Sequence, residues 1–140
     1  MAYGSKTLAA IATLPTRANG TATRKVSFGR GTNASDATIS STTALNSTAT
    51  ITYTFAGWYK ESAATTKVAS DAKTPALSAS VSGLTNASSQ WTATSNQTLY
   101  AGWSSSTGSY SAITLPTISK PGYDCSWNTK SDGTGTKYTT

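Results

Sequence analysis

"TATITYTFAGW", Thr48–Trp58, alternates with a period of two: Ile51, Tyr53 and Phe55 fall on one face, and Thr50, Thr52 and Thr54 on the other. That is the pattern of a half-buried strand. Gly57 breaks it, and a bulge there would carry Trp58 round to the apolar side. Shorter runs of the same kind, rich in threonine, serine and β-branched residues, begin at Arg24 ("RKVSF"), Asp36 ("DATIS"), Ala76 ("ALSASVS"), Gln97 ("QTLYAGW") and Ser111 ("SAITL"). Asn19-Gly20, Gly29 with Gly31, Asn33, Asn46, Gly83 and Asp132-Gly133 are spaced as turns between them. Only residues 5–12 and 62–72 have tolerable helical composition. The expectation is a mainly β chain with at most one short helix.

The strand opens a phrase that the chain writes twice. "YTFAGWYKESAATTKV" runs from Tyr53 to Val68, and "YDCSWNTKSDGTGTKY" from Tyr123 to Tyr138. Tyr53 answers to Tyr123, Phe55 to Cys125, Trp58 to Trp127 after a one-residue deletion, and Lys67 to Lys137. "ATLPT" (12–16) precedes the first copy and "ITLPT" (113–117) the second, so order is kept. The second copy lacks the closing "LYAGW" that the first has at 99–103. "SSSTGSYS" (104–111) has a linker's composition. The expected organisation is a basic N-terminal segment over 1–23, a β repeat module over 24–103, a Ser/Gly linker over 104–111 and a partial second repeat over 112–140.

"YTFAGWY", the Lys67-Val68 pair and "NQTLYAGW" (96–103) together resemble the Listeria-Bacteroides repeat, also called the internalin B-repeat. The likeness covers about residues 24 to 103 as one stretched copy and 113 to 140 as a truncated one. It implies a small β-grasp-like module, repeated in tandem, of the kind carried by bacterial surface proteins and phage structural proteins, and it implies no enzymatic activity.

Composition bounds the rest. Ser, Thr and Ala make up about half of the 140 residues, and charged residues are 11%, well below the roughly 25% usual for a globular chain. Solubility therefore rests on hydroxyls. Four Trp and seven Tyr argue for a folded core, since such rings need a place to be buried. Phe55, Trp58 and Trp103 sit on the apolar pattern and read as core. Tyr59, Trp91 and Tyr110 fall off it, which makes them the candidates for stacking on a ligand such as a glycan. The net charge is +6, and Lys6, Arg17, Arg24, Lys25 and Arg30 lie in the first thirty residues with no acid among them. They are the expected anchor to an acidic partner, a capsid or surface protein. Three cations and one aromatic in "TRKVSFGRG" (23–31) are too few to read bases, which argues against a nucleic-acid binder.

Little here supports chemistry. The chain has no His and one Cys, so the commonest metal ligand and general base are missing and no internal disulfide can form. Cys125 stands where the first copy has Phe55 and reads as a small hydrophobe. Of the five acids, Glu61 and Asp132 occupy related turns in different copies, not one glycosidase pair. No catalytic residue, metal or cofactor is expected. Leu8–Leu14 is too short to span a bilayer and at the lower limit for an export signal. The expected role is a non-enzymatic structural or adhesive module, at a virion surface as a head fibre or capsid decoration, able to form homo-oligomers. The alternative is a secreted adhesin repeat of a bacterial cell wall that binds a host protein or glycan.

Overall fold

The computed structural model describes residues 2–139. The protein is mainly β, with eight strands and no helix among the described residues. They are β1 (Gly20–Val26), β2 (Thr38–Ile39), β3 (Leu45–Tyr59), β4 (Lys67–Ala69), β5 (Tyr100–Thr107), β6 (Ile118–Ser119), β7 (Trp127–Asn128) and β8 (Lys137–Tyr138). Neither stretch with helical composition is a helix: residues 5–12 are irregular with one isolated bridge at Thr7, and 62–72 are turn, bend and strand. The β1, β3, β4 and β5 strands form a four-stranded sheet about β3, while β2–β6 and β7–β8 are separate antiparallel pairs. The chain divides into two compact units, residues 1–20 with 51–108, and residues 21–50 with 109–140.

The first unit is built on the alternating strand. Residues 51–59 of β3 pair antiparallel with β5, from Ile51 opposite Thr107 to Tyr59 opposite Tyr100. The register shifts between Phe55 and Gly57, which is the bulge that the glycine predicted. Phe55 is buried, and its ring meets Trp58 at 5.3 Å and Trp103 at 5.9 Å between centroids, both edge-on. Ser104–Thr107, expected to begin the linker, instead extend β5 opposite Thr54–Ile51. Small hydroxyl residues suit a strand whose face is solvated, and composition alone does not separate that from a linker.

The stretch from Ser70 to Leu99 folds as a turn-rich cap and not as the strand expected at Ala76–Ser82. It supplies the core: Leu77, Val81, Leu84 and Trp91 pack on Val68 and Ala69 of β4, with Leu8, Trp58 and Leu99 around them. Each fully buried aliphatic side chain contributes about 1.5–3 kcal/mol. Polar groups inside the cap are paired. The Val81 N–H donates to Thr85 Oγ1, which donates to the Ser78 carbonyl, and Asn86 Oδ1 accepts from the Ser88 and Gln90 N–H groups. Residues 4–11 are stitched onto this cap: the Leu8 N–H donates to Pro75 O, Ile11 to Lys73 O and Leu77 to Lys6 O. This part of the expected basic segment therefore belongs to the folded unit.

In the second unit, Thr38 and Ile39 pair with Ser119 and Ile118, and Trp127 and Asn128 pair with Tyr138 and Lys137. Its apolar interior is small. Ala37 and Ala49 are buried, and Phe28 packs on Trp127 with centroids 5.2 Å apart.

Candidate functional site

The phrase written twice is also folded twice. In the first copy, Trp58 pairs with Ala69 and Tyr59 with Lys67; in the second, Trp127 pairs with Tyr138 and Asn128 with Lys137. Each hairpin closes with the residue after this pair, the Lys60 N–H donating to Thr66 O and the Thr129 N–H to Thr136 O. A turn follows in each loop, from Glu61 to Ala64 and from Lys130 to Gly133, with an N–H to carbonyl bond of 2.9 and 3.1 Å. Its last residue is left-handed in both: Ala64 has φ 55° and Gly133 φ 80°. Alanine there costs about 1–2 kcal/mol, which glycine avoids.

Each loop also holds an acid that accepts from threonine. Glu61 Oε2 takes the Thr66 N–H and the Thr65 hydroxyl, both at 2.9 Å, and Asp132 Oδ1 takes the Thr134 N–H at 3.0 Å and the Thr134 hydroxyl at 2.7 Å. These bonds stabilise the ionised form, so both carboxyls titrate below their usual range, through Thr66 above all for Glu61 and through Thr134 for Asp132. One oxygen of each carboxylate, Glu61 Oε2 and Asp132 Oδ1, braces its own loop, and the other oxygen takes no hydrogen bond among the described residues.

The two tryptophans differ in one respect. Trp127 Nε1 donates to the Pro116 carbonyl at 2.8 Å, whereas Trp58 Nε1 is buried with no partner among the described residues. In the second copy the Leu-Pro-Thr phrase precedes its tryptophan by 11 residues, close enough to supply the carbonyl. Trp58→Phe removes an unpaired donor, while Trp127→Phe leaves a carbonyl unpaired. Urea unfolding of the two full-length variants should therefore show Trp127→Phe to be the costlier by about 1–2 kcal/mol. Equal costs would contradict the assigned hydrogen bond.

The expected anchor cations divide between the units. Lys6 and Arg17 belong to the first, and Arg24, Lys25 and Arg30 to the second. Three of the five are engaged within their own unit. The Arg17 guanidinium lies 3.7 Å from the Tyr53 ring centroid and that of Arg24 4.1 Å from Tyr110, while Arg30 Nε donates to the Ala37 carbonyl at 2.8 Å. The side chains of Lys6 and Lys25 are exposed.

Of the stacking candidates, Trp91 is corrected outright: at 5% exposure it is a core residue. It falls off the strand pattern because it lies in the cap, where burial has no two-residue period. Tyr59 is half-buried, its ring filling the space that Gly102 leaves by having no side chain. Tyr110 is half-buried under Arg24.

Sequence reasoning missed a cleft of about 480 Å³ in the second unit, between the loop at 29–34 and the segment 118–133. Its signal was available in "KPGY", Lys120–Tyr123, a turn dipeptide followed by an aromatic. No cluster of His, Cys, Asp and Glu able to hold a metal ion occurs among the described residues, and no helix among them is long and apolar enough to cross a membrane. No protein family, curated protein or solved structure matches the chain.

Proposed function

We propose that the protein is a non-enzymatic structural module displayed on an outer surface, as a head fibre or capsid decoration of a virion. The observation that carries this reading is the hairpin built twice with the same closing bond and the same turn, left-handed at its last residue in both copies. A fold made by repetition serves extension and display, and the second copy repeats the closing bond and the turn of the first. The hydroxyl-rich, weakly charged composition and the resemblance to the Listeria-Bacteroides repeat agree with it. Attachment to an acidic protein partner runs through the basic residues between Lys6 and Arg30. The test is immunogold labelling of purified particles and of cell envelopes from the source, using antibody raised against the full chain. Label on particles is the expected result. Label confined to the bacterial wall would replace the virion reading with that of a wall adhesin, and label confined to the cell interior would overturn surface display altogether.

A further inference from the structure

We propose that the cleft of the second unit is a binding site for a neutral saccharide, with the Tyr123 ring as its stacking platform. This goes beyond a role in a surface assembly and does not depend on it.

Tyr123 is the reason to look there. It is 67% exposed and stands on a hydrogen-bonded turn. Lys120-Pro121-Gly122-Tyr123 has the residue pattern of a type II turn, with Pro at the second position, Gly122 at φ 79° and the Tyr123 N–H donating to Lys120 O at 3.1 Å. Lys120 then fixes the ring. Its Nζ lies 4.6 Å from the ring centroid and 2.9 Å from Asp36 Oδ1, so the lysine is clamped between an acid and the aromatic. Neither folding nor packing requires an exposed tyrosine on so fixed a turn. A preorganised aromatic face beside a cleft lowers the entropy cost of binding a flat apolar surface, and the C–H face of a pyranose is one.

The opposite wall is equally fixed. The Thr32 N–H donates to Ser131 O at 2.8 Å, and the Gly31 backbone lies so close that a Cβ there would sit 2.7 Å from the same carbonyl oxygen. That approach is why Gly31 has no side chain. It joins the loop at 29–34 to the hairpin loop of the second copy, so both rims of the cleft belong to the fold.

The polar lining decides the class of ligand. Arg30 and Lys130 supply donors, Asp124 and Asp132 supply acceptors, and Lys120 is neutralised by Asp36. Asn33 adds one of each. Donors and acceptors are balanced and the charges cancel, which matches hydroxyl groups and gives no preference for an anion. The Asn128 amide is unavailable, being committed to Gly133 O and Gly135 O and to the N–H groups of Lys130 and Gly135. The volume, about 480 Å³, lies in the usual range for small-ligand sites.

The experiment is a titration of the 15N-labelled full-length chain with maltotriose, mannotriose, N-acetylchitotriose and trigalacturonate, followed by amide chemical shifts. At least one of the three neutral sugars should shift the signals of residues 29–34 and 120–133 and leave those of residues 68–93 unmoved. The effect should persist in about 0.5 M NaCl, where exposed charge interactions are largely screened. Tyr123→Ala should weaken it about tenfold with the unfolding midpoint unchanged, and Tyr123→Trp should retain it. The proposal is overturned if none of the three neutral sugars shifts these signals or if Tyr123→Ala binds as well as the parent. It is equally overturned if only trigalacturonate binds and salt abolishes the effect, which would make the cleft a charged patch.

Discussion

Gly57→Ala is expected to destabilise the first unit by about 3 kcal/mol or more, one of the largest effects of any single methyl group in this chain. Two costs add. Gly57 has φ 126°, a backbone conformation that residues with a Cβ rarely adopt, and an added Cβ would lie 2.5 Å from the Ala69 carbonyl oxygen and 2.8 Å from Lys67 Cε. The first neighbour is backbone and cannot rotate away. Ala69 is itself buried and pairs with Trp58, so relief must come from parting β3 and β4 or from undoing the bulge. Undoing the bulge would slip the register by one residue and turn Trp58 away from Phe55 and the core. Gly29→Ala is the control, since a Cβ there meets nothing within 4 Å. Urea unfolding of the full chain, read by tryptophan fluorescence, should show a large drop in midpoint for Gly57→Ala and a shift of no more than about 0.5 kcal/mol for Gly29→Ala. An unchanged midpoint for Gly57→Ala would mean that the bulge is not what positions Trp58.

That bulge was legible because two local rules met at one residue: a clean two-residue alternation and a glycine that broke it. The repeat was legible for the same reason. Residue order survives in "YTFAGWYKESAATTKV" and "YDCSWNTKSDGTGTKY", and the order of hydrogen bonds follows it. Legibility ended where stability comes from contacts without a period. Leu77, Val81, Leu84 and Trp91 are spaced by turns within a cap, so neither strand nor helix periodicity marks them as core. The N-terminal cations read as a separate anchor segment because charge pattern reports solvation and says nothing of backbone; the bonds holding residues 4–11 run through backbone N–H and carbonyl groups, which the sequence pattern does not mark. Ser104–Thr107 misled in the same way. A serine-rich run carries no side chain that distinguishes a solvated strand from a linker, and the pairing that decides between them is supplied by a segment fifty residues earlier. The cleft was hidden because its walls are distant in sequence, at 29–34 and 118–133, and join through backbone groups at Thr32 and Ser131.

Trp91→Ala is expected to cost about 3–5 kcal/mol, the range for removing a buried aromatic side chain from a core that cannot collapse around the cavity. Collapse is hindered here because the residue is tied at both sides of its peptide: its carbonyl accepts from the Gly4 N–H at 2.7 Å, and its N–H donates to Ser5 O at 2.8 Å. Losing the ring therefore loosens the cap and the N-terminal strap together. The two readings of this residue make opposite forecasts. A tryptophan that served as a stacking platform could be truncated with little loss of stability, as is expected for the exposed Tyr123; a tryptophan 5% exposed among Val81, Leu84 and Val68 cannot. Trypsin supplies the second readout, because Lys6 lies in the strap and its carbonyl is engaged by Leu77. In the parent chain the peptide bond after Lys6 should resist cleavage, and in Trp91→Ala it should be cut early, in step with a lowered urea midpoint. Trp91→Phe keeps most of the ring volume and should fall between the two. A Trp91→Ala protein with the parent's midpoint and the parent's cleavage pattern would remove Trp91 from the core and return it to the surface, where the sequence pattern had placed it.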